Sequence, residues 1–224
     1  VSHHDGVGRD ARAYLSDWKP AAPDFYRVST GTGERTLMRQ GQLLQGARFG
    51  ISPDGRTYVY WKDEAFHAYD LDRGTSVTLG AGAPALVDTT YDHPGPKPPW
   101  GFAGWAADGR SVIVADRYDL WTLPLDGRAT AKNLTGGVGA KDRMVLRPVR
   151  PEPIDSTATR RVRTGEEWEL SRPLTLSAFG EVTKKAGYYR LAGGRLTEIV
   201  FDAAMYATPS RAARADRFLF TRQT

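Results

Sequence analysis

Short apolar runs separated by polar turns recur along the chain at a fixed interval. The run at residues 58–61 (YVYW) follows the turn Asp54-Gly55, and the run at 112–115 (VIVA) follows Asp108-Gly109, 54 positions further on. Both runs are continuously apolar rather than alternating, which is typical of strands covered on both faces. The pattern therefore predicts a repeated β-sheet unit in which each sheet packs between two neighbours.

A repeat of this length, built from strands and turns, is typical of β-propeller blades. We expect an all-β fold of four-stranded antiparallel blades, with residues 1–224 as a single propeller segment. Three whole blades are predicted at 48–79, 101–134 and 143–201, and two partial blades at 24–38 and 205–222. The two partial blades could complete one another and close a four-bladed ring, or the chain could be an open arc of a larger propeller.

The predicted strands in the three whole blades are 48–51, 57–62, 65–70 and 76–79, then 101–105, 111–116, 119–124 and 131–134, then 143–149, 173–179, 187–191 and 196–201. The partial blades are predicted to contribute 25–28, 35–38, 207–209 and 217–221. Two connections, 80–100 and 150–172, are predicted to be long loops.

The hairpin turns have a simple chemical explanation. Gly55 and Gly109 allow a positive φ without steric cost, and the carboxylates of Asp54 and Asp108 can accept hydrogen bonds from their own turn backbone. These four residues are therefore interpreted as structural turn formers.

Composition narrows the range of functions. The net charge is +5, but the arginines are scattered among turns and strand ends rather than clustered with stacking aromatics, so no nucleic-acid partner is predicted. No apolar run is long enough to cross a membrane, and no signal peptide is present in these residues. The chain has no cysteine, which excludes disulfides and thiolate metal sites and leaves a periplasmic, secreted or cytoplasmic bacterial location open. No metal or cofactor is predicted.

Several motifs resemble a known family. They are residues 51–56 (ISPDGR), 99–101 (PWG), Trp105, 116–121 (DRYDLW), 133–139 (NLTGGVG), 176–190 (LSAFGEVTKKAGYYR) and 218–223 (FLFTRQ). Together they resemble the propeller of bacterial serine peptidases of the prolyl oligopeptidase family and, in the SPDG turn, TolB-like propellers. The resemblance covers roughly residues 24–223.

In that family the propeller covers an α/β-hydrolase domain and restricts access to short peptides. This chain contains no Gly-x-Ser-x-Gly nucleophile elbow, so the catalytic domain is absent and no catalytic residue is assigned. The resemblance implies a non-catalytic propeller portion that gates access and helps to position peptide substrates, with a peptide and the hydrolase domain of the same parent chain as partners. Because propellers of this family carry more blades than this chain supplies, the resemblance also favours an open arc of a larger propeller. Such an arc could self-associate. The alternative is a free-standing TolB-like propeller that acts as a protein-binding scaffold.

Three residues are candidates for substrate binding. Glu166 and Glu167 resemble the paired glutamates with which the dipeptidyl peptidase branch binds a free amino terminus, although the flanking aromatic pattern differs and a solvated loop is the alternative. His93 lies on the long 80–100 loop and is the histidine best placed to meet a ligand. The glycine-rich stretch at 137–142 departs from phosphate-loop spacing and is expected to lead directly into a strand.

Overall fold

The computed structural model describes residues 24–40, 50–150, 152–153, 167–212, 215 and 217–224. The fold is all-β. Its strands are β1 (Phe25–Val28), β2 (Arg35–Arg39), β3 (Thr57–Lys62), β4 (Ala65–Asp70), β5 (Thr75–Thr78), β6 (Gly101–Ala106), β7 (Ser111–Ala115), β8 (Leu120–Pro124), β9 (Lys132–Asn133), β10 (Met144–Val149), β11 (Glu152–Pro153), β12 (Glu167–Trp168), β13 (Leu174–Gly180), β14 (Ala186–Ala192), β15 (Arg195–Asp202), β16 (Met205–Tyr206), β17 (Ser210–Arg211), β18 (Phe218–Leu219) and β19 (Arg222–Gln223). A five-residue helix, α1 (Val138–Asp142), lies between β9 and β10.

The strands form separate sheets that follow the order of the chain. The first sheet is the hairpin β1–β2, the second is β3–β4–β5, and the third has the order β12–β6–β7–β8–β9. The fourth sheet has the order β10–β13–β14–β15, and two small sheets combine β11 with β17 and β18, and β16 with β19. The pairing is antiparallel, except that β12 runs parallel to β6 and β11 runs parallel to β17.

Three buried cores join the first four sheets in sequence. Tyr58 and Tyr60 of β3 form a core with Phe25 and Met38 of the first sheet. The opposite side of β3 contributes Val59 to a second core, which also contains residues of β6, β7 and β8 from the third sheet. The third core lies between the third and fourth sheets. The four sheets are therefore stacked, with apolar side chains between successive layers.

The strand β7 shows how one strand serves two cores. Val112 and Val114 point into the core shared with the second sheet, whereas Ile113 and Ala115 point into the core shared with the fourth. All four are almost completely buried. The continuous apolar run thus lies in a strand covered on both faces, as its pattern predicted, because successive side chains alternate between the two faces of a sheet.

The observed strands depart from the predicted blades in several places, among them β11, which lies inside the predicted 150–172 loop, and the predicted strand 217–221, of which only 218–219 is a strand. Of the predicted strand 48–51, residues 48 and 49 lie outside the described part of the chain, and Ile51 makes a single bridge to Tyr58. The third sheet has five strands rather than four, because β12 from the predicted 150–172 loop joins it. The predicted strand 207–209 is wrong: Pro209 has no N–H to donate to a ladder, and the pairing is made on either side of it by β16 and β17.

The two ends of the chain do not share a sheet among the described residues. In that part of the molecule β1 and β2 pair with each other, β16 pairs with β19, and β17 pairs with β18 and β11. The ladder between residues 25–38 and 205–222 that would have closed a four-bladed ring is therefore not formed there. Within the described ranges, no helix is long and apolar enough to span a membrane.

Candidate functional site

The two repeated turns have the same geometry. Gly55 and Gly109 have φ values of 73° and 68°, the left-handed region that favours glycine. The carboxylate of Asp54 accepts a hydrogen bond from the backbone N–H of Arg56 at 3.1 Å, and that of Asp108 accepts one from Arg110 at 2.9 Å. A hydrogen bond from the Ser52 hydroxyl is the main cause that lowers the pKa of Asp54. These carboxylates hold their own turns, which is the structural role assigned to them.

Glu167 lies on β12, at the edge of the third sheet. It pairs with Trp105 of β6, its side chain is exposed, and the following residue, Trp168, is buried. Its predicted partner Glu166 lies outside the described residues. The structure therefore places one carboxylate of the predicted pair at the sheet edge, where a cationic group could reach it from solvent.

The segment that carries Glu167 is anchored by its tryptophan. The indole Nε1 of Trp168 donates a hydrogen bond to the carbonyl oxygen of Ala103 at 2.7 Å, and the backbone N–H of Ala107 donates one to the carbonyl oxygen of Trp168 at 2.9 Å. The guanidinium carbon of Arg150 lies 4.5 Å from the centre of the indole ring, within the range of a cation–π interaction. The position of Glu167 thus depends on a buried neighbour rather than on a loop alone.

His93 lies on a loop whose two ends are fastened together. The backbone N–H of Asp88 donates to the carbonyl oxygen of Pro98 at 2.7 Å, and the Trp61 indole donates to the carbonyl oxygen of Lys97 at 2.8 Å. The His93 ring is exposed, packs edge-on against Tyr91 at 5.2 Å, and lies 3.7 Å from a carboxylate oxygen of Asp92. It is accessible, but its neighbours do not organise it into a pocket.

Glu167 and His93 do not converge on one site. The 80–100 loop leads into β6 at Gly101, whereas Glu167 lies beside Trp105 near the other end of the same strand. The two predicted binding positions are therefore attached to different ends of β6.

A polar cluster around Asp119 was not identified from the sequence. Asp119 is 1% exposed, and its carboxylate accepts hydrogen bonds from the Thr135 hydroxyl at 2.6 Å and from the backbone N–H groups of Gly139 and Ala140, each at 3.0 Å. Thr135 is also 1% exposed and lies 3.0 Å from the side-chain oxygen of Asn133. Three donors therefore satisfy the two oxygens of the buried Asp119 carboxylate. The cluster connects the turn before β8 to the start of α1.

This cluster explains the glycine-rich stretch at 136–139. Gly136 and Gly137 have positive φ values, and α1 begins at Val138, so the stretch does not lead directly into a strand as expected. A Cβ atom on Gly139 would lie 2.8 Å from an Asp119 carboxylate oxygen and 2.8 Å from the carbonyl oxygen of Tyr118. The backbone amides that resemble a phosphate loop are thus already bound to the chain's own carboxylate.

A second polar cluster joins the third and fourth sheets. The Arg117 guanidinium donates two hydrogen bonds of 3.0 Å to the two carboxylate oxygens of Glu181, and the Tyr118 hydroxyl donates a third at 2.8 Å. The bonds from Arg117, followed by that from Tyr118, lower the pKa of Glu181. Bidentate arginine–carboxylate pairs combine charge with fixed geometry. We call this arrangement the Arg117–Glu181 clasp.

Arg147 adds a further connection between the same sheets. Its guanidinium donates hydrogen bonds to the carbonyl oxygens of Asp116, Arg117 and Leu146, between 2.8 and 3.2 Å. Burial lowers the pKa of this group, because removal from water disfavours the charged form. The three carbonyl oxygens replace part of the hydration that the guanidinium loses on burial. Arg147 therefore has a structural role, because it connects the fourth sheet to the β7–β8 turn of the third.

Comparison with protein-family models, curated proteins and solved structures finds no match to this chain. Among the residues that the structure describes, no group of three or more histidine, aspartate or glutamate side chains is arranged to hold a metal ion. The arrangement of the described residues is that of stacked sheets, with the exposed carboxylate of Glu167 at the edge of the third sheet.

Proposed function

We propose that this chain is a non-catalytic arc of a β-propeller belonging to a prolyl oligopeptidase-like serine peptidase. Its role would be to gate access to the hydrolase domain of the same parent chain and to help position peptide substrates. The proposal rests on the resemblance of its motifs and on the stacking of its sheets.

The observation that supports the propeller most directly is the double burial of β7. Val112 and Val114 lie in one inter-sheet core and Ile113 and Ala115 in the next. Propeller blades require this arrangement, because each blade is packed between its two neighbours. The second sheet shows the same division, with Tyr58 and Tyr60 in one core and Val59 and Trp61 in another.

Glu167 supports the substrate-positioning role. In a propeller the first strand of each blade faces the central axis, and β12 adds outside that strand in the third sheet. The exposed Glu167 carboxylate would therefore face the axial passage. A carboxylate at this position could form a charge-assisted hydrogen bond with the ammonium group of a peptide amino terminus.

Peptide binding by the purified chain tests this role. We expect fluorescein-labelled tripeptides with a free amino terminus to bind weakly and their acetylated counterparts to bind several-fold more weakly. Glu167→Gln should remove that difference, because it removes the negative charge. Glu64→Gln is the matched control, since Glu64 is an exposed glutamate in the β3–β4 turn of another sheet. Equal binding of both peptide forms would contradict the proposed role of Glu167.

The reading frame after Thr224 separates this proposal from a free-standing scaffold, because it should encode a Gly-x-Ser-x-Gly elbow within an α/β-hydrolase domain. The chain alone should not be labelled by a fluorophosphonate serine probe, and labelling would contradict a non-catalytic role. A gene that ends without such a domain would favour the scaffold. A closed, monodisperse monomer in sedimentation would also favour it, because an arc leaves apolar sheet faces open at both ends.

A further inference from the structure

The strand β12 is an addition to the repeated unit rather than part of it. In the third sheet β6, β7, β8 and β9 form a complete antiparallel unit, and β12 is joined to the free edge of β6 in a parallel orientation. Within the described part of the chain, Glu167 and Trp168 are the residues that take part in this pairing, whereas β3 and β4 pair over six residues. We call residues 167–170 the strap. The strap closes an edge that the repeat itself leaves open.

The strap is held by two apolar side chains, of which Trp168 is the more buried and Leu170 is partly buried against the same core. Trp168 is 4% exposed and belongs to the core that also contains Leu146 and Leu176. Glu167 and Glu169, on either side of it, are both exposed. An extended segment with a single buried aromatic side chain between two solvated residues is the usual form of a peptide bound by strand addition, where backbone bonds give affinity and a pocket gives specificity.

The β6 edge supplies both parts of such a site. The Ala103 carbonyl oxygen and the Ala107 N–H face the strap and bond to it. Arg150 lies over the face of the Trp168 indole at 4.5 Å, which selects an aromatic ring over an aliphatic side chain. These contacts involve main-chain groups, an indole and one cation, so none of them requires the occupant to be covalently attached.

We propose that the edge of β6 between Ala103 and Ala107 is a docking site for an extended peptide with a bulky aromatic side chain, and that the strap occupies this site in cis. The site is formed by the β6 edge, Arg150 and the core that receives the Trp168 indole, and it is independent of the proposed role in a peptidase. A free peptide must displace the strap. Its apparent affinity is therefore the intrinsic affinity multiplied by the fraction of molecules in which the strap is released. The strap is therefore an internal competitor for the site.

Removal of the internal side chain should expose the site. The probe is a fluorescein-labelled peptide with the sequence of residues 167–171 (EWELS), and binding is measured by anisotropy. We expect Trp168→Ala to bind this probe at least about 10-fold more tightly than the unaltered chain, because the competing indole is gone. The peptide EAELS should not bind either protein. Replacement of Arg150 by Gln in the Trp168→Ala background should weaken binding of EWELS several-fold.

The matched control is Trp61→Ala, which truncates another buried tryptophan in a different core. Binding of EWELS to this control as tightly as to Trp168→Ala would overturn the proposal, since a non-specific cavity would then be sufficient. Absence of binding by a folded Trp168→Ala variant would also overturn it.

Hydrogen exchange in the unaltered chain gives a second test that does not depend on folding of a variant. The Ala107 amide should exchange faster than the amides in the middle of β7. Its exchange rate should not change at low denaturant concentration, because it exchanges through a local opening. Exchange of Ala107 only through global unfolding would show that the strap is not displaceable, and the proposal would fail.

Discussion

The second and third sheets derive from one sequence repeat, yet their ends are held in different ways. Both carry the same Asp-Gly-Arg turn directly before β3 or β7, and both place alternate side chains of that strand in two cores. The turn between β3 and β4 consists of Asp63 and Glu64, both exposed and both with positive φ. The corresponding turn between β7 and β8 is tied down around the buried Asp119, and in the repeat Ala65 occupies the position of Asp119.

This difference separates two tasks that a repeated sheet must perform. The repeated residues specify the turns and the strand pairs, which each sheet needs by itself. The residues that differ, among them Asp119 and Arg117, connect the third sheet to α1 and to the fourth sheet. Variation between copies is therefore concentrated where a sheet meets its neighbour, and four predictions test this division.

The largest effect is expected from Asp119→Ala. This change leaves the backbone N–H of the buried Gly139 without its acceptor and also removes an acceptor from the buried Thr135 hydroxyl, and a buried unsatisfied group costs about 1–3 kcal/mol. We expect the free energy of unfolding to fall by about 3 kcal/mol or more in urea titration. Asp72→Ala, at an exposed aspartate of the second sheet, should change it by no more than about 0.5 kcal/mol. Similar losses in both variants would contradict the division of roles.

The parts of the fold that could be predicted from the sequence are the repeated ones. The strands of the second and third sheets were predicted within about one residue, because their apolar runs and Asp-Gly turns are local signals. The addition of β12 was missed because it is two residues long and pairs in parallel with a strand about 60 positions earlier. No local pattern distinguishes such a segment from a loop.

The same reasoning applies to the polar clusters. The role of Asp119 could not be predicted, since nothing next to it in sequence shows that Thr135 and Gly139 contact it. A signal was nevertheless present at residues 133–140 (NLTGGVGA). Three glycines lie within four positions there, and the stretch has no apolar periodicity. Such a run indicates that the backbone approaches another group closely. Here the backbone at Gly139 lies against the Asp119 carboxylate.

The second prediction concerns the turn that the two sheets share. No heavy atom lies within 4 Å of a Cβ added to Gly55 or Gly109, so the cost of a larger residue comes from the positive φ alone. We expect Gly55→Val and Gly109→Val each to lower the free energy of unfolding by about 1–2 kcal/mol. Gly50→Val is the control, because its Cβ also meets open space and its φ is not in the left-handed region. A marked difference between Gly55 and Gly109 would mean that the turns are not equivalent.

The third prediction uses pH to isolate the Arg117–Glu181 clasp. The pKa of Glu181 is below its ordinary value of 4.5 because of hydrogen bonds from Arg117 and then Tyr118. The clasp therefore contributes stability that is fully present above about pH 4.5 and is lost as pH falls through the lowered pKa. Glu181→Gln should lower the melting temperature by a few degrees at pH 7, and the difference should shrink below pH 4.5. A difference that stays constant down to pH 3 would assign the effect to packing instead.

The smallest effect is expected from Trp105→Phe. Trp105 is 0% exposed, and within the described residues its indole Nε1 has no hydrogen-bond partner. Phenylalanine removes this unsatisfied donor, which offsets part of the volume lost, so the free energy of unfolding should change by less than about 1 kcal/mol. Trp61→Phe is the matched change in the second sheet, where Nε1 donates to the carbonyl oxygen of Lys97 at 2.8 Å. That variant loses a hydrogen bond as well as volume, and should be destabilised by about 1 kcal/mol more than Trp105→Phe. If urea titration showed Trp105→Phe to be the more damaging, the Trp105 indole would have to possess a partner, and the third sheet would contain a further polar contact that the second lacks.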